Sequence, residues 1–216
     1  TEEWRATAEL KEAGERQALL AGELQHRIKN TLAMVGAIAN QTMRGDNVNA
    51  AREAFSARLM TLSHAHDILT QTSWASAPIK DVLEGALAPH RSAQGRIHVE
   101  GPDLELLPKQ ALALSVAIHE LATNAVKYGA LSTNGEVDIT WSNERPETGF
   151  RLTWTESGGP AVEEPSQSQK GFGSRLIELM LANDFKGNVR TFYRPSGVVC
   201  ELAAPMVGST SNISQI

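Results

Sequence analysis

The sequence has a single cysteine, few aromatic residues and no long apolar run. Because Cys200 stands alone, an internal disulfide and a cysteine-based metal cluster are excluded, and a reducing compartment fits. No stretch of about 18 apolar residues occurs, so we expect no membrane-spanning helix. The formal charge of −5 argues against binding nucleic acid through a broad basic surface. These absences predict a cytoplasmic protein without a nucleic-acid partner.

The 216 residues allow one large domain or two modest ones, each with its own core. The chain begins at Thr1, without a methionine or a signal-peptide pattern, in a stretch that reads as helix. We therefore expect it to be a fragment of a longer protein. The last residues are polar, and we expect 206–216 to form a disordered tail.

Two amphipathic helices are predicted in the first third of the chain. Residues 2–43 read as one long helix with a single apolar seam, which the turn at Gly45-Asp46-Asn47 ends. A second helix is predicted from Val48 to Thr72, so that the two form an antiparallel hairpin. A hairpin has little core of its own, and we expect it to pair with a second copy as half of a four-helix bundle. This predicts a helical domain over 1–73.

The composition changes after Trp74 and predicts a second domain over 74–205. Apolar alternation indicates strands, and longer periodic runs indicate helices. Together they predict an α+β fold, in which a mixed sheet lies under a layer of helices. The predicted helices are 79–89, 108–128 and 172–183, and the predicted strands are 96–101, 104–107, 135–142, 149–156, 187–193 and 197–204.

The helix from Pro108 to Gly129 carries a polar stripe within an apolar surface. Glu120, Asn124 and Lys127 recur at i, i+4 and i+7, which places them on one face. If this face is buried, the polar groups need partners, and a carboxylate, an amide and an ammonium suit a hydrated metal ion and phosphate oxygens. The alternative is a half-exposed helix whose polar stripe meets water.

Two glycine-rich sites follow this helix. Glu156 ends a strand just before Gly158 and Gly159, where a carboxylate can accept a hydrogen bond from an exocyclic amine such as that of adenine. Gly171 and Gly173 open a helix, and a helix start favours anions. Taken singly, each glycine pair is explained by a turn, and neither matches the common nucleotide-binding fingerprints. Their order predicts a nucleotide pocket with a mobile lid over 157–171.

His26 lies opposite the apolar seam of the first helix, between Leu24 and Ile28. Neutral imidazole is a competent nucleophile for a phosphoryl group near neutral pH. The adjacent Arg27 and Lys29 can neutralise incoming phosphate charge. The alternative is an ordinary surface histidine.

Four motifs in this order resemble the HWE family of bacterial sensor histidine kinases. The resemblance runs from about Glu23 to Pro205 and includes the three residues that name the family, His119, Trp154 and Glu156. The sequence alone does not explain what His119 and Trp154 do. The motifs are the phosphoacceptor box Glu23–Leu32, the N box Ile118–Ser132, the W-x-E box Trp154–Pro160 and the glycine box Gly171–Ile177.

The resemblance implies a phosphotransfer hairpin followed by an ATP-binding domain of the gyrase and Hsp90 type (Bergerat or GHKL fold). It implies that His26 is autophosphorylated with Mg-ATP. By motif position, Asn124 holds the magnesium ion, Glu120 lies beside the ion and acts in catalysis, Lys127 reaches phosphate oxygens, and Glu156 binds the adenine amine. The other nucleotide-site residues implied by the motifs are Tyr128, Gly158, Gly159, Gly171, Gly173 and Ser174.

The resemblance also implies partners. The phosphoryl group passes to an aspartate of a response-regulator receiver domain, and the hairpin makes a homodimer. Similar kinases carry an upstream sensor, such as a PAS or LOV module, and feed stress-response regulators. Residues 1–20 then read as the helix that brings the signal from a sensor missing from this chain.

One position departs from the wider histidine-kinase pattern, in which an acidic general base often follows the phosphoacceptor. Arg27 stands there, so either another group, such as Glu23, deprotonates His26, or no strong base is needed. Two other functions remain open: a nucleotide-binding scaffold that docks a receiver domain, and a serine kinase that acts on an anti-sigma partner. The hairpin and His26 favour the histidine kinase.

Overall fold

The computed structural model describes residues 22, 29, 32, 35, 36, 38, 39, 48–71, 75–143, 149–162, 172–205 and 207. The chain divides into two compact units, Thr1–Ala57 and Arg58–Ile216. In the first unit, the described residues before Val48 are helical, and Ile38 is fully buried. How the first helix continues and pairs lies outside the described residues, so the predicted hairpin stays a prediction.

The described elements follow the predicted order of helices and strands, and the α+β fold class is confirmed. The boundaries of the predicted elements that are described lie within two residues of the prediction, and the strand β1 and the 3-10 segments are additional. The helices are α1 (Val48–Gln71), α2 (Ile79–Leu87), α3 (Pro108–Lys127) and α4 (Phe172–Phe185); the strands are β1 (Ala77–Pro78), β2 (Ile97–Glu100), β3 (Glu105–Leu106), β4 (Glu136–Asn143), β5 (Phe150–Ser157), β6 (Asn188–Arg194) and β7 (Gly197–Ala204); 3-10 segments span Ala88–Arg96 and Ala130–Ser132.

The helix α1 runs through the boundary between the two units. Its C-terminal part belongs to the second unit, where Leu62, Ala65 and Leu69 are buried. The Ser115 hydroxyl of α3 donates a hydrogen bond to the Thr61 carbonyl over 3.4 Å. The division within α1 reflects this packing, whereas the domain boundary predicted at 73/74 rests on composition and stays a prediction.

A five-stranded mixed sheet forms one layer of the second unit, in the order β2-β4-β5-β7-β6. Only β2 and β4 run parallel; the other neighbours are antiparallel. Along β5, side chains alternate between the buried face and the other face, as the pleat requires. Trp154 and Glu156 therefore share the buried face, two residues apart.

The helical layer covers that face. The central helix α3 packs between α2 and α4, and it is buried almost all round, as its apolar composition predicts. The ring of Phe185 on α4 stacks on Phe150 of β5, with centroids 5.4 Å apart. A core of aliphatic and aromatic side chains thus fixes where the last turn of α3 meets the end of β5.

Two features differ from the prediction. The strand β3 does not join the large sheet but pairs with β1, which is too short for a sequence pattern to reveal. Val207, inside the predicted tail, is buried, and its backbone exchanges hydrogen bonds with the Asn143 side chain at 2.9 and 3.2 Å. Residues 208–216 lie outside the described residues. In the part of the chain that is described, no helix has the length and apolar character needed to cross a membrane.

Candidate functional site

The carboxylate of Glu156 is buried at the end of β5, with only 4% of the residue exposed. Its Oε2 accepts a hydrogen bond from the Ala130 backbone N–H at 2.9 Å, and its Oε1 accepts one from the Trp154 indole N–H at 3.2 Å. Burial raises the pKa of this carboxyl above its ordinary value, and the two hydrogen bonds oppose that rise. Both of these donors are uncharged, so they hold the carboxylate without neutralising it.

Gly129 makes room for this carboxylate. A Cβ atom there would lie 2.1 Å from Oε2 of Glu156 and 3.0 Å from its Cδ. The glycine is not needed for a left-handed helix cap, because its φ is −105°. The end of α3 and the end of β5 can therefore meet only if residue 129 has no side chain.

Gly158 and Gly159, which follow Glu156, lie at the same junction between the end of α3 and the end of β5. Gly158 has a φ of +68°, a conformation that side-chain-bearing residues rarely adopt. A Cβ on Gly159 would lie 2.5 Å from the Cα of Ala130. The sequence predicts that these glycines let a flat ring approach, but the space beside Gly159 is filled by the backbone of the Ala130 turn.

Glu120 is buried on α3 and is bound by a charged partner. The guanidinium of Arg58, on α1, donates from Nε to Oε1 at 2.5 Å and from a terminal nitrogen to Oε2 at 2.6 Å. The side chains are 14% and 6% exposed, so this is a bidentate and largely desolvated ion pair. The alternative of a polar stripe that simply meets water is therefore wrong at Glu120.

The other members of the predicted stripe lie progressively nearer to solvent. Asn124 is half-buried one helical turn beyond Glu120, and Lys127 and Tyr128 are exposed. The carbonyl of Asn124 accepts backbone hydrogen bonds from Tyr128 and Gly129, which close the last turn of α3. Exposure thus increases along the stripe, from the buried carboxylate of Glu120 to the exposed ammonium of Lys127. The stripe lies beside the junction of α3 and β5 that holds Glu156.

His119 is directed away from this stripe into the helical layer. It is 4% exposed, and its ring centroid lies 5.4 Å from that of His90. Its Nδ1 has no hydrogen-bond partner among the described residues. Burial is the main cause that lowers the pKa of His119; Glu120 and a hydrogen bond with the Ala86 backbone oppose it. His119 is thus a buried residue that links α3 to α2.

Several predicted site residues are only partly described. Gly173 and Ser174 lie in the first turn of α4, which begins at Phe172 as predicted. His26 and Gly171 lie outside the described residues, as does most of the predicted lid. In the described part of the chain, no three His, Cys, Asp or Glu side chains gather in a metal-binding cluster. A magnesium ion held here would therefore depend on Asn124 and on oxygen atoms of a bound ligand.

Two residues of the site were missed by the sequence argument. Arg58 binds Glu120 from 62 residues away, and no local pattern signals such a contact. The backbone N–H of Ala130 binds Glu156 and has no side-chain signature at all. The nearest signal was the alternation on β5, which places Trp154 and Glu156 on one face.

The amino-acid sequence of this chain is similar to those of known proteins. Residues 23–103 match the family described as HWE histidine kinase. A blue-light-activated histidine kinase of Brucella anthropi is 43% identical over 203 residues, which cover 92% of this chain and 41% of that protein. This chain belongs to the HWE histidine kinase family. A protein of the same description from Brucella ovis is also 43% identical, with the same coverage. The chain thus spans about 41% of the length of the curated relatives it matches.

The fold matches that of a solved histidine kinase domain. The histidine kinase domain of the blue-light-activated histidine kinase from Erythrobacter litoralis EL346 superposes with a TM-score of 0.64. The match covers 86% of this chain and 90% of that domain, at 21% sequence identity. At this identity the likeness establishes the fold, which confirms the helical region followed by a mixed sheet with a helical layer.

Proposed function

We propose that this chain is the kinase core of a sensor histidine kinase. It binds Mg-ATP in the second unit, transfers the γ-phosphoryl group to His26, and passes it to an aspartate of a response-regulator receiver domain. The observation that carries this proposal is the buried Glu156 carboxylate, which neutral N–H donors hold at the junction of α3 and β5. An exocyclic amine is a proton donor that such an acceptor can bind.

The residues of the proposed nucleotide site have different roles along α3 and beside it. Glu156 accepts a hydrogen bond from the adenine amine, with Gly158 and Gly159 shaping the turn beside it. Asn124 supplies an oxygen to magnesium, and Lys127 and Tyr128 face the phosphates at the exposed end of the helix. Magnesium, when bound, neutralises charge on the phosphate oxygens. The residues of the glycine box, Gly171, Gly173 and Ser174, bind the phosphate groups.

Glu120 has a conditional role. Because both of its oxygens are bound to Arg58 in this arrangement, Glu120 would be available beside a magnesium ion only if that ion pair opened or shared an oxygen.

The phosphoryl transfer uses the neutral imidazole of His26. The imidazole attacks the γ-phosphorus, the bond to the β–γ bridging oxygen breaks, ADP leaves, and the imidazole proton is lost to solvent or to a base such as Glu23.

The whole protein extends this core. The helical region over 1–73 pairs as a homodimer and receives a signal through 1–20, and the ATP-binding domain spans 74–205. The relatives are named for activation by blue light, so an upstream light-sensing domain of the PAS or LOV kind is the proposed input. The protein acts in the cytoplasm, where receiver domains that feed stress-response regulators are its partners.

The test is incubation with Mg-[γ-³²P]ATP of the wild type and the variants His26→Ala and Asn124→Ala. We expect label in the wild type, none in either variant, and loss of label in mild acid, as phosphohistidine requires. His98→Ala, which changes an exposed histidine on β2, is the matched control and should label normally. Acid-stable label would instead indicate a serine kinase, and nucleotide binding without label would indicate a scaffold.

A further inference from the structure

Two buried tryptophans on neighbouring strands use their indole N–H groups differently. Trp141 on β4 is 5% exposed and donates to the Pro102 backbone carbonyl at 2.8 Å. Trp154 on β5 is fully buried and donates to Oε1 of Glu156 at 3.2 Å. The first bond ties a loop to the sheet. The second ends on a side chain that the proposed function assigns to base recognition.

The two oxygens of the Glu156 carboxylate are held by different donors. The indole N–H of Trp154 holds Oε1, and the backbone N–H of Ala130 holds Oε2. A carboxylate has about four lone-pair positions, and the two donors occupy one on each oxygen. The remaining positions keep a defined direction, because rotation of the carboxylate would break one of the two bonds. A ligand amine therefore meets an acceptor that is already oriented.

We propose that Trp154 is a positioning residue for nucleobase selection: its indole N–H holds Glu156 so that the carboxylate accepts the exocyclic amine of adenine and rejects the carbonyl that guanine carries at the same ring position. The proposal rests on the proposed function, in which Glu156 binds adenine. A site built around a buried acceptor discriminates strongly, because a ligand without the matching proton leaves that acceptor unpaired.

The protonation state of Glu156 supports the same role. Burial raises the pKa of the Glu156 carboxyl, and the bonds from Ala130 and Trp154 oppose that rise. Losing the indole donor therefore raises the pKa further. A protonated carboxyl has lost part of its acceptor capacity, so adenine binding is present above this pKa and is lost as the pH falls through it.

The test compares ADP and GDP binding by calorimetry in the wild type, Trp154→Phe and Trp141→Phe. Both variants keep a buried aromatic ring and lose one N–H donor, so the second controls for a merely structural effect. We expect Trp154→Phe to bind ADP about 3- to 10-fold more weakly with GDP binding little changed, which lowers the ADP/GDP preference. Trp141→Phe should keep the wild-type preference.

A pH series adds a measurement that a change in packing alone would not affect. The midpoint at which ADP affinity falls should lie at higher pH in Trp154→Phe than in the wild type and in Trp141→Phe. Identical preference and midpoint in the two variants would overturn the inference while the proposed function stands. If the wild type binds no ADP at all, the proposed function itself fails.

A measurement on the wild type keeps the inference testable if Trp154→Phe does not fold. The indole ¹H–¹⁵N resonance of Trp154 should titrate with Glu156 as the pH falls, whereas that of Trp141, assigned from Trp141→Phe, should stay constant. A Trp154 resonance that does not respond to pH or to added ADP would contradict the proposed contact.

Discussion

Two buried carboxylates near the helix α3 are held in opposite ways. Glu120 forms a bidentate ion pair with the guanidinium of Arg58, which balances its charge within the protein. Glu156 receives two hydrogen bonds from uncharged N–H groups and has no ion-pair partner among the described residues. The ion pair with Arg58 satisfies both oxygens of Glu120 within the protein. In the function proposed above, Glu156 accepts a further hydrogen bond from the ligand.

The largest expected effect follows from breaking the charged pair. Arg58→Met leaves the Glu120 carboxylate buried without its counterion, and we expect the free energy of unfolding to fall by about 3–5 kcal/mol. Adding Glu120→Gln removes the stranded charge and should recover most of that loss. Urea unfolding followed by tryptophan fluorescence measures both.

The matched control is Arg52→Met, which changes an exposed arginine on the same helix. It should alter stability by no more than about 0.5 kcal/mol. If Arg58→Met is as stable as Arg52→Met, the ion pair contributes nothing and the contrast between the two carboxylates disappears.

The next effect sharpens the Glu156 side of the comparison. Gly129→Ala places a Cβ where Oε2 of Glu156 lies, so the carboxylate must move away from Ala130. We expect a loss of about 1–3 kcal/mol in stability together with a loss of ADP affinity. Thermal unfolding and calorimetry check the two effects separately.

Gly95→Ala is the control for this substitution. A Cβ at Gly95 meets no atom within 4 Å, and its φ lies outside the left-handed region. This variant should bind ADP as the wild type does. Normal ADP affinity in Gly129→Ala would mean that the carboxylate does not need its present position.

The smallest effect concerns His119, the buried neighbour of Glu120. Its pKa is lowered below the ordinary value of 6.5, so the unfolded chain binds more protons between the folded pKa and 6.5. The contribution of His119 to the free energy of unfolding is therefore fully present above pH 6.5. It decreases as the pH falls from 6.5 through the pKa of the folded state, by at most about 1.4 kcal/mol per pH unit.

Unfolding measured from pH 5 to 8 tests this expectation. His119→Asn should flatten the acid side of the stability profile. It should not abolish the slope, because burial lowers the pKa of His90 as well, and this cause remains when the charge of His119 is removed. Val99→Ala, at an exposed position of β2 that carries no titratable group, should leave the slope unchanged. A wild-type profile that is flat below pH 6.5 would contradict the assignment.

Much of this fold could be predicted from the sequence, because its elements are long and periodic. The stripe at Glu120 and Asn124, the strand ending at Glu156 and the helix starting at Phe172 all follow from local spacing. What could not be predicted depends on contacts between distant segments. Three contacts arise only when α1, α3 and β5 pack together. They are the ion pair between Arg58 and Glu120, the close approach that leaves no room for a side chain at Gly129, and the hydrogen bond from the Ala130 N–H to Glu156.

The roles of the family-naming residues show the same limit. Alternation along β5 indicates that Trp154 and Glu156 share a face, but not that the indole N–H ends on the carboxylate. The sequence does not explain what His119 does, and in the structure its ring lies in the helical layer beside His90. Helix and strand periods assign faces, whereas hydrogen-bond partners depend on the tertiary structure.

The most direct test of the contrast is ADP binding in the absence of magnesium, measured by calorimetry for Glu156→Gln and for the double variant Arg58→Met/Glu120→Gln. We expect Glu156→Gln to weaken binding by at least about 10-fold, because an amide cannot match the ionised acceptor. The double variant should bind within about 2-fold of the wild type, since a change of about 0.4 kcal/mol is all that 2-fold represents. Equal losses in both, or wild-type binding by Glu156→Gln, would contradict the assignment of Glu156 to adenine recognition and of Glu120 to the Arg58 ion pair.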